Sequence, residues 1–260
     1  MRLYLAGVET ALNFKGCSAY VYENIDSFYF LSSFYYCKNS KKMNQFCSQV
    51  NKDNFLLDSG AFTFITHGKQ NINIDEYTDD YIDFINKHDI KYFFEMDVDA
   101  CYPLSKVLEL RKKIERQTGK KCIPVFHRER GFNELKSIIE NYDYIAIGGL
   151  VGNKDKDYFK EIKQIIRLCN KNNVKVHLLG YAKSDILDYN TYSADATSWI
   201  GNKFGGMWNW NIEKKRPEKV NRDLSKRVIA SLHDNLALHN LRVWEQYQKY
   251  LKYQGFWRNK

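Results

Sequence analysis

The chain has 260 residues, 44% of them hydrophobic, enough to bury one large core, and a single domain over 1–260 is the economical reading. Its 40 Lys and Arg against 31 Asp and Glu give a formal charge of +9, which favours a polyanionic partner, although an AT-rich genome also produces such a Lys-rich composition. A disulfide framework, a zinc ribbon and a membrane-spanning bundle are excluded: the six cysteines, at 17, 37, 47, 101, 122 and 169, form no CxxC pair, and the apolar runs are short and broken by charge.

The chain starts MRLYLAGVET, without the apolar core or cleavage site of a secretory signal, so a soluble cytoplasmic protein with no membrane partner is expected. Within that start, RLYLAG (2–7) is the first strand candidate, followed by SFYFLS (27–32) and NFLLD (54–58). The third runs into Asp58-Ser59-Gly60, where the carboxylate reads either as a turn cap or as a group that handles a proton. Helical spacing of apolar residues predicts a helix over 75–88, and KYFFEMD (91–97) predicts the next strand. If that strand continues through FEMDVDA, alternation puts Glu95, Asp97 and Asp99 on one face. Such a cluster is costly unless it meets a cation such as Mg²⁺ or a donor-rich ligand such as the N–H edge of guanine.

A helix is predicted over 103–117 and a strand at KCIPVFH (121–127), ending on His127, which reads as a ligand contact or a hydrogen-bonded rim residue. After a helix over 132–141, YIAIGG (144–149) leads into Gly148, Gly149 and Leu150. That run is either a tight turn or a close approach of backbone to a flat ligand. It has neither GxGxxG nor GK[ST] spacing, so a dinucleotide fold and a P-loop are discounted. A helix over 156–172 precedes the strands KVHLLG (175–180) and YSAD (192–195), the latter carrying Asp195 among the small and hydroxyl residues of SADATSW. The remainder, 213–260, reads as a basic and aromatic helical segment. Seven basic residues face two acidic ones over 214–227, so Lys214, Lys215 and Arg216 are candidate nucleic-acid contacts, with a solvated basic face as the other reading.

Eight strand candidates alternating with helices predict an α/β chain forming a single (β/α)8 TIM-type barrel, with a doubly wound open sheet as the runner-up. Asp58, Glu95, Asp97, His127, Gly148, Gly149, Gly180 and Asp195 all fall at or just past the C-terminal ends of these strands, the rim where barrel enzymes place their sites. Two convergent carboxylates there suit glycosyl chemistry.

Taken in order, LDSGAF (57–62), FEMDVD (94–99), IAIGGLVG (145–152), VHLLGYAKSDIL (176–187), SADATSW (193–199) and LHNL (238–241) resemble the tRNA-guanine transglycosylase superfamily. The likeness is to its compact phage and bacterial members, which insert 7-deazaguanines into DNA. The resemblance implies a pentosyltransferase that replaces guanine with a 7-deazaguanine such as preQ0. Asp195 would be the nucleophile that forms a covalent glycosyl-enzyme intermediate and Asp58 the general acid/base. Ser59, Asp97, His127, Gly148, Gly149, Leu150, Gly180 and Tyr181 would form the base pocket. No cofactor is implied, since one glycosidic bond is traded for another. The partners implied are DNA, free guanine and the incoming base; a homodimer or a partner protein is compatible with the sequence. Two departures matter. The CxCxxC zinc cluster of the tRNA enzymes is missing although His239 remains, so no metal is expected, and His127 stands where those enzymes carry glutamine. The alternatives are exchange in tRNA and a non-catalytic nucleic-acid-binding barrel.

Overall fold

Each of the eight apolar runs forms a short strand in the computed structural model, which describes residues 1–61, 63, 73–204, 206–220 and 230–258. The strands are β1 (Arg2–Ala6), β2 (Phe30–Ser33), β3 (Phe55–Asp58), β4 (Tyr92–Phe93), β5 (Val125–Phe126), β6 (Tyr144–Ile147), β7 (Lys175–Leu178) and β8 (Ser193–Ala196). They make one sheet in the order β4-β3-β2-β1-β8-β7-β6-β5, and every pairing is parallel. Parallel neighbours need a crossover, and helices supply it: Ile74–Lys87, Leu104–Thr118, Gly131–Asn141 and Lys156–Lys171 lie within a residue or so of the expected positions.

Local chemistry fixes these helices. Asn73 and Asp155 cap the first and last of the four by accepting backbone N–H bonds, at 3.1 Å from Asp75 and 2.9 Å from Asp157. The helix Lys156–Lys171 buries Tyr158, Ile162, Ile165, Ile166 and Cys169, one stripe at helical spacing. Six thiols are free and all but Cys101 are buried.

The sheet is strongly curled. The ring of Phe94, next to β4, lies 5.2 Å from that of His177 on β7. Those strands are five steps apart in the sheet order, which at about 4.8 Å per step would separate them by about 24 Å in a flat sheet. Curling creates two cores. Tyr4, Leu31, Leu56, Phe94, Val125 and Ala146 pack inside the curl, and a larger apolar layer fills the space between strands and helices. The chain is therefore α/β with an eight-stranded parallel curled sheet, consistent with a TIM-like fold.

The two end strands meet through one parallel bridge, Phe94 opposite Ile123, and not through a full ladder, so the barrel is not closed by strand pairing alone. Backbone bonds flank the bridge, from Ile123 N–H to Phe93 (2.8 Å) and from Glu95 N–H to Ile123 (3.1 Å). Pro124 follows immediately and has no N–H to give. The Glu95 carboxylate takes over the seam, accepting from the Val125 N–H at 2.7 Å, from Arg111 Nε at 2.6 Å and from Arg130 Nη1 at 2.8 Å. Both β4 and β5 end up as two-residue strands, shorter than expected, because a side chain replaces the ladder.

From 207 onward the structure differs from the uniform helical segment expected over 213–260. Met207–Asn211 (β9) and Arg216–Val220 (β10) form an antiparallel hairpin, and the helix occupies Ala230–Arg258. Trp208 and Trp210 stack on this helix near Trp244, Tyr247 and Tyr250. Trp244 and Tyr247 thus serve packing and are buried, whereas Tyr253 is exposed. His239 accounts for part of the LHNL motif, pairing through Nε2 with the Trp208 carbonyl at 2.8 Å, while Asn240 accepts from the Trp208 N–H at 3.0 Å. The same helix donates Gln248 Nε2 to the Leu3 and Tyr29 carbonyls, both at 2.7 Å, and so covers the opposite end of the sheet from the rim. Residues 221–227 of the basic run, Phe62 of LDSGAF and the last two residues lie outside the described residues. Among the described residues no helix is long and apolar enough to cross a membrane.

Candidate active site

Strand alternation turns both singled-out aspartates into the curl. Leu56 belongs to the inner core, so Asp58, two residues on, shares its face. Ala194 and Ala196 belong to the outer core, so Asp195 between them points inward, opposite Tyr4 in register. They stand on β3 and β8, at the C-terminal rim.

Asp58 caps its own turn: Oδ2 accepts the Gly60 N–H at 3.1 Å. Gly60 has φ +78°, and a Cβ there would lie 2.8 Å from the Tyr35 backbone N and 2.7 Å from Ser33 Oγ, so only glycine fits this turn. The capping bond favours the charged carboxylate, yet burial outweighs it. Together with the charges of Asp97, Asp195 and Glu9 it pushes the Asp58 carboxyl up from its ordinary 3.8 to about 7.

Asp195 is held differently. Its Oδ1 accepts the Gly180 N–H at 2.6 Å and pairs with His177 Nε2 at 3.2 Å. Gly180 has φ +64°, and a Cβ would strike Val151 at 2.5 Å. His177 is fully buried; its Nδ1 lies 2.8 Å from Ser193 Oγ, which lies 2.6 Å from the Tyr144 hydroxyl. With Asp195 as a carboxylate, which only accepts, the chain has one consistent direction. Tyr144 donates to Ser193, Ser193 to His177 Nδ1, and the Nε2 proton goes to Asp195. Among the described residues Asp195 Oδ2 has no partner, so one carboxylate oxygen is fixed by two donors and the other stays open.

The three acidic residues after β4 do not share a face, because the strand stops at the seam. Glu95 is fully buried in the seam, Asp99 forms a two-pronged pair with Arg130 (Nε to Oδ1 2.7 Å), and Asp97 Oδ1 pairs with His127 Nε2 at 2.7 Å. Burial would lower the His127 pKa, but the Asp97 bond and the Asp97 and Asp99 charges prevail and raise it, favouring the imidazolium. Gly148 makes this pair geometrically possible: a Cβ there would sit 2.4 Å from His127 Cε1. Ligand atoms of Asp97, Asp99 and His127 come within 4.8 Å of one another, the one such grouping among the described residues. These atoms already satisfy each other and Arg130, and a cation would have to displace both bonds.

Of the remaining expected site residues, Gly148 has its N–H on the Phe126 carbonyl (3.0 Å) and its carbonyl on the Tyr158 hydroxyl (2.9 Å). The N–H groups of Gly149 and Leu150 have no partner among the described residues, while the Leu150 side chain is buried in the outer core. Ser59 is buried, and its carbonyl accepts the Tyr77 hydroxyl at 2.8 Å. Tyr181 turns its hydroxyl to Asp185 at 2.8 Å and packs on Tyr189 in the outer layer. Lys214 and Lys215 lie in the hairpin turn and Arg216 opens β10, and there Glu218 accepts from Lys214 (2.7 Å) and Arg216 (3.4 Å).

Sequence reasoning missed His177, Ser193, Tyr144 and the Arg111–Glu95–Arg130 network. A histidine inside the apolar run of β7, on the alternation that points inward, was the one legible signal. The result is an acidic cup, formed by Glu9, Asp58, Asp97 and Asp195, in a chain of net charge +9. No protein-family model matches this chain, and no curated protein matches it.

Proposed function

We propose that the chain is a base-exchange transglycosylase on a (β/α)8 barrel, replacing guanine in DNA with a 7-deazaguanine through a covalent intermediate on Asp195. The single observation that carries this reading is the contrast between two inward carboxylates on one rim. Asp58 is tuned to about 7, and Asp195 is held by two donors through one oxygen with the other open.

Asp195 Oδ2 attacks C1′ of the target nucleotide, the C1′–N9 bond breaks, and its electron pair leaves with guanine. Protonated Asp58 supplies the proton that the departing base needs. Asp58, now ionised, takes the ring N–H proton of the incoming 7-deazaguanine as that nitrogen attacks C1′ and releases Asp195. A carboxyl near 7 serves both half-reactions at neutral pH, since each protonation state is well populated. The Gly180 and His177 donors stabilise the carboxylate when it leaves. Asp97 accepts from the base's N–H edge, with His127 fixing its orientation, and the free N–H groups of Gly149 and Leu150 suit the carbonyl oxygen of the same base. The acidic cup favours a donor-rich base edge over phosphate, and a duplex guanine has to leave the stack to reach it.

The test is incorporation of labelled guanine or preQ0 into duplex DNA, single-stranded DNA or tRNA by the native protein and by Asp195→Ala. Label in DNA that vanishes in the variant supports the reading. Label in tRNA alone selects the RNA substrate, and none in any polymer refutes base exchange.

A further inference from the structure

Beyond the acidic cup, the loop and helix that follow β6 and the loop that follows β7 carry an opposite charge. A groove of about 470 Å³ is lined by Lys154, Lys156, Lys160, Lys163 and Lys183, with Asp185 as its one acidic residue. Lys183 also borders a second cavity, of about 610 Å³, whose wall includes Trp208, Lys219, Arg216 and Glu218, the last two paired at 3.4 Å. The two cavities therefore adjoin at Lys183.

Most of these charges are uncompensated. Lys160 pairs with Asp157 at 2.8 Å, whereas Lys154, Lys156, Lys163 and Lys183 have no carboxylate within ion-pair distance among the described residues. Two of them rest on aromatic faces: Lys183 Nζ lies 4.9 Å from the Phe159 ring centre, and Lys163 Nζ lies 4.8 Å from that of Tyr189. A ring positions a cation without neutralising it, so its charge stays available to an anion. Gly180, whose N–H holds Asp195, sits three residues before Lys183 in the same loop. The strip thus runs beside the cup.

We propose that the two cavities, joined at Lys183, form one track for the backbone of single-stranded DNA, delivering a base into the acidic cup. This rests on the base-exchange reading of the cup. A small anion needs one site; adjoining basic cavities with interleaved aromatic faces fit a repeating phosphate chain. The cup repels the phosphates that the track attracts, so backbone and base sort to different surfaces.

The experiment measures fluorescence anisotropy of a labelled single-stranded oligodeoxynucleotide across a salt series. It compares the native protein with Lys154→Gln/Lys163→Gln/Lys183→Gln, with Lys214→Gln/Lys215→Gln and with Asp195→Asn. Three lost phosphate contacts make the slope of log K against log salt shallower by about 2, and weaken binding at least roughly tenfold at low salt. The Lys214/Lys215 variant is expected to lose less, because Lys214 already shares Glu218. Matching thermal unfolding of native and triple variant excludes a folding defect. Native-like binding by the triple variant overturns the track while leaving base exchange standing; so does binding of tRNA with no binding of DNA. Binding through the track by native protein and Asp195→Asn, with no base exchange by the native protein, upholds the track and removes the reading of the cup.

Discussion

Replacing Asp58 by asparagine isolates the strongest electrostatic feature of the rim. Asparagine keeps the shape and an oxygen to accept the Gly60 N–H, and removes only the titrating proton. In the unfolded chain the Asp58 carboxyl titrates near 3.8; in the folded chain burial and its acidic neighbours move it to about 7. The folded state then holds the proton more tightly. Well below pH 3.8 both states are protonated and Asp58 costs nothing. As pH rises the unfolded state ionises first, so stability falls, and above pH 7 the full penalty stands. At about 1.4 kcal/mol per tenfold change, the penalty reaches roughly 4 kcal/mol as an upper bound. Asp58→Asn is therefore expected to be more stable than the native protein at pH 8, by up to about 4 kcal/mol. The gain shrinks to about 2 near pH 5 and vanishes by about pH 3. Urea unfolding of both proteins at these pH values measures the difference. A gain that is equal at every pH, or a loss at pH 8, refutes the argument that the rim strains this carboxylate.

Three further outcomes follow from the same geometry. Glu95→Ala leaves Arg111 and Arg130 buried without their shared carboxylate and opens the β4–β5 seam. It is expected to cost about 3–5 kcal/mol, or roughly 10 °C in the thermal midpoint; a shift under about 2 °C would show that the bridge and the outer core hold the seam alone. Gly148→Ala drives a methyl into the His127 ring, breaking the Asp97 pair, so the His127 pKa followed by NMR should fall from its raised position towards or below the ordinary range, and an unmoved pKa counts against the pair. His177→Phe keeps a ring beside Phe94 but leaves the Ser193 hydroxyl and Asp195 each one partner short. It should cost about 1–3 kcal/mol in urea unfolding, and in the exchange assay lower kcat more than it raises KM; an unaltered kcat would confine His177 to a packing role.

What the amino-acid sequence determined by itself is the alternation of strands and helices and the placement of polar residues at strand ends. Runs such as YIAI, and FLL before Asp58, are apolar throughout because a parallel sheet is covered on both faces, and helices such as Lys156–Lys171 bury one stripe, so both periods survive in the sequence. Asp58 and Asp195 were legible for the same reason: a carboxylate at the end of a buried strand interrupts the pattern. Tertiary structure decided which partners these groups meet. Glu95 looked like a neighbour of Asp97 and Asp99, yet the Val125 N–H across the seam and two arginines hold it out of the cup. His177 looked like one more residue of β7 until its pairing with β8 set it beside Ser193 and Asp195. The aromatics from Tyr247 to Lys260 resembled a stacking surface, but Tyr247 and Tyr250 pack on Trp210 of the hairpin while Tyr253 stays exposed. Hydrophobic period is a property of neighbours along the chain and can be read there. Hydrogen-bond partners and electrostatic shifts arise between residues that only the curled sheet brings together.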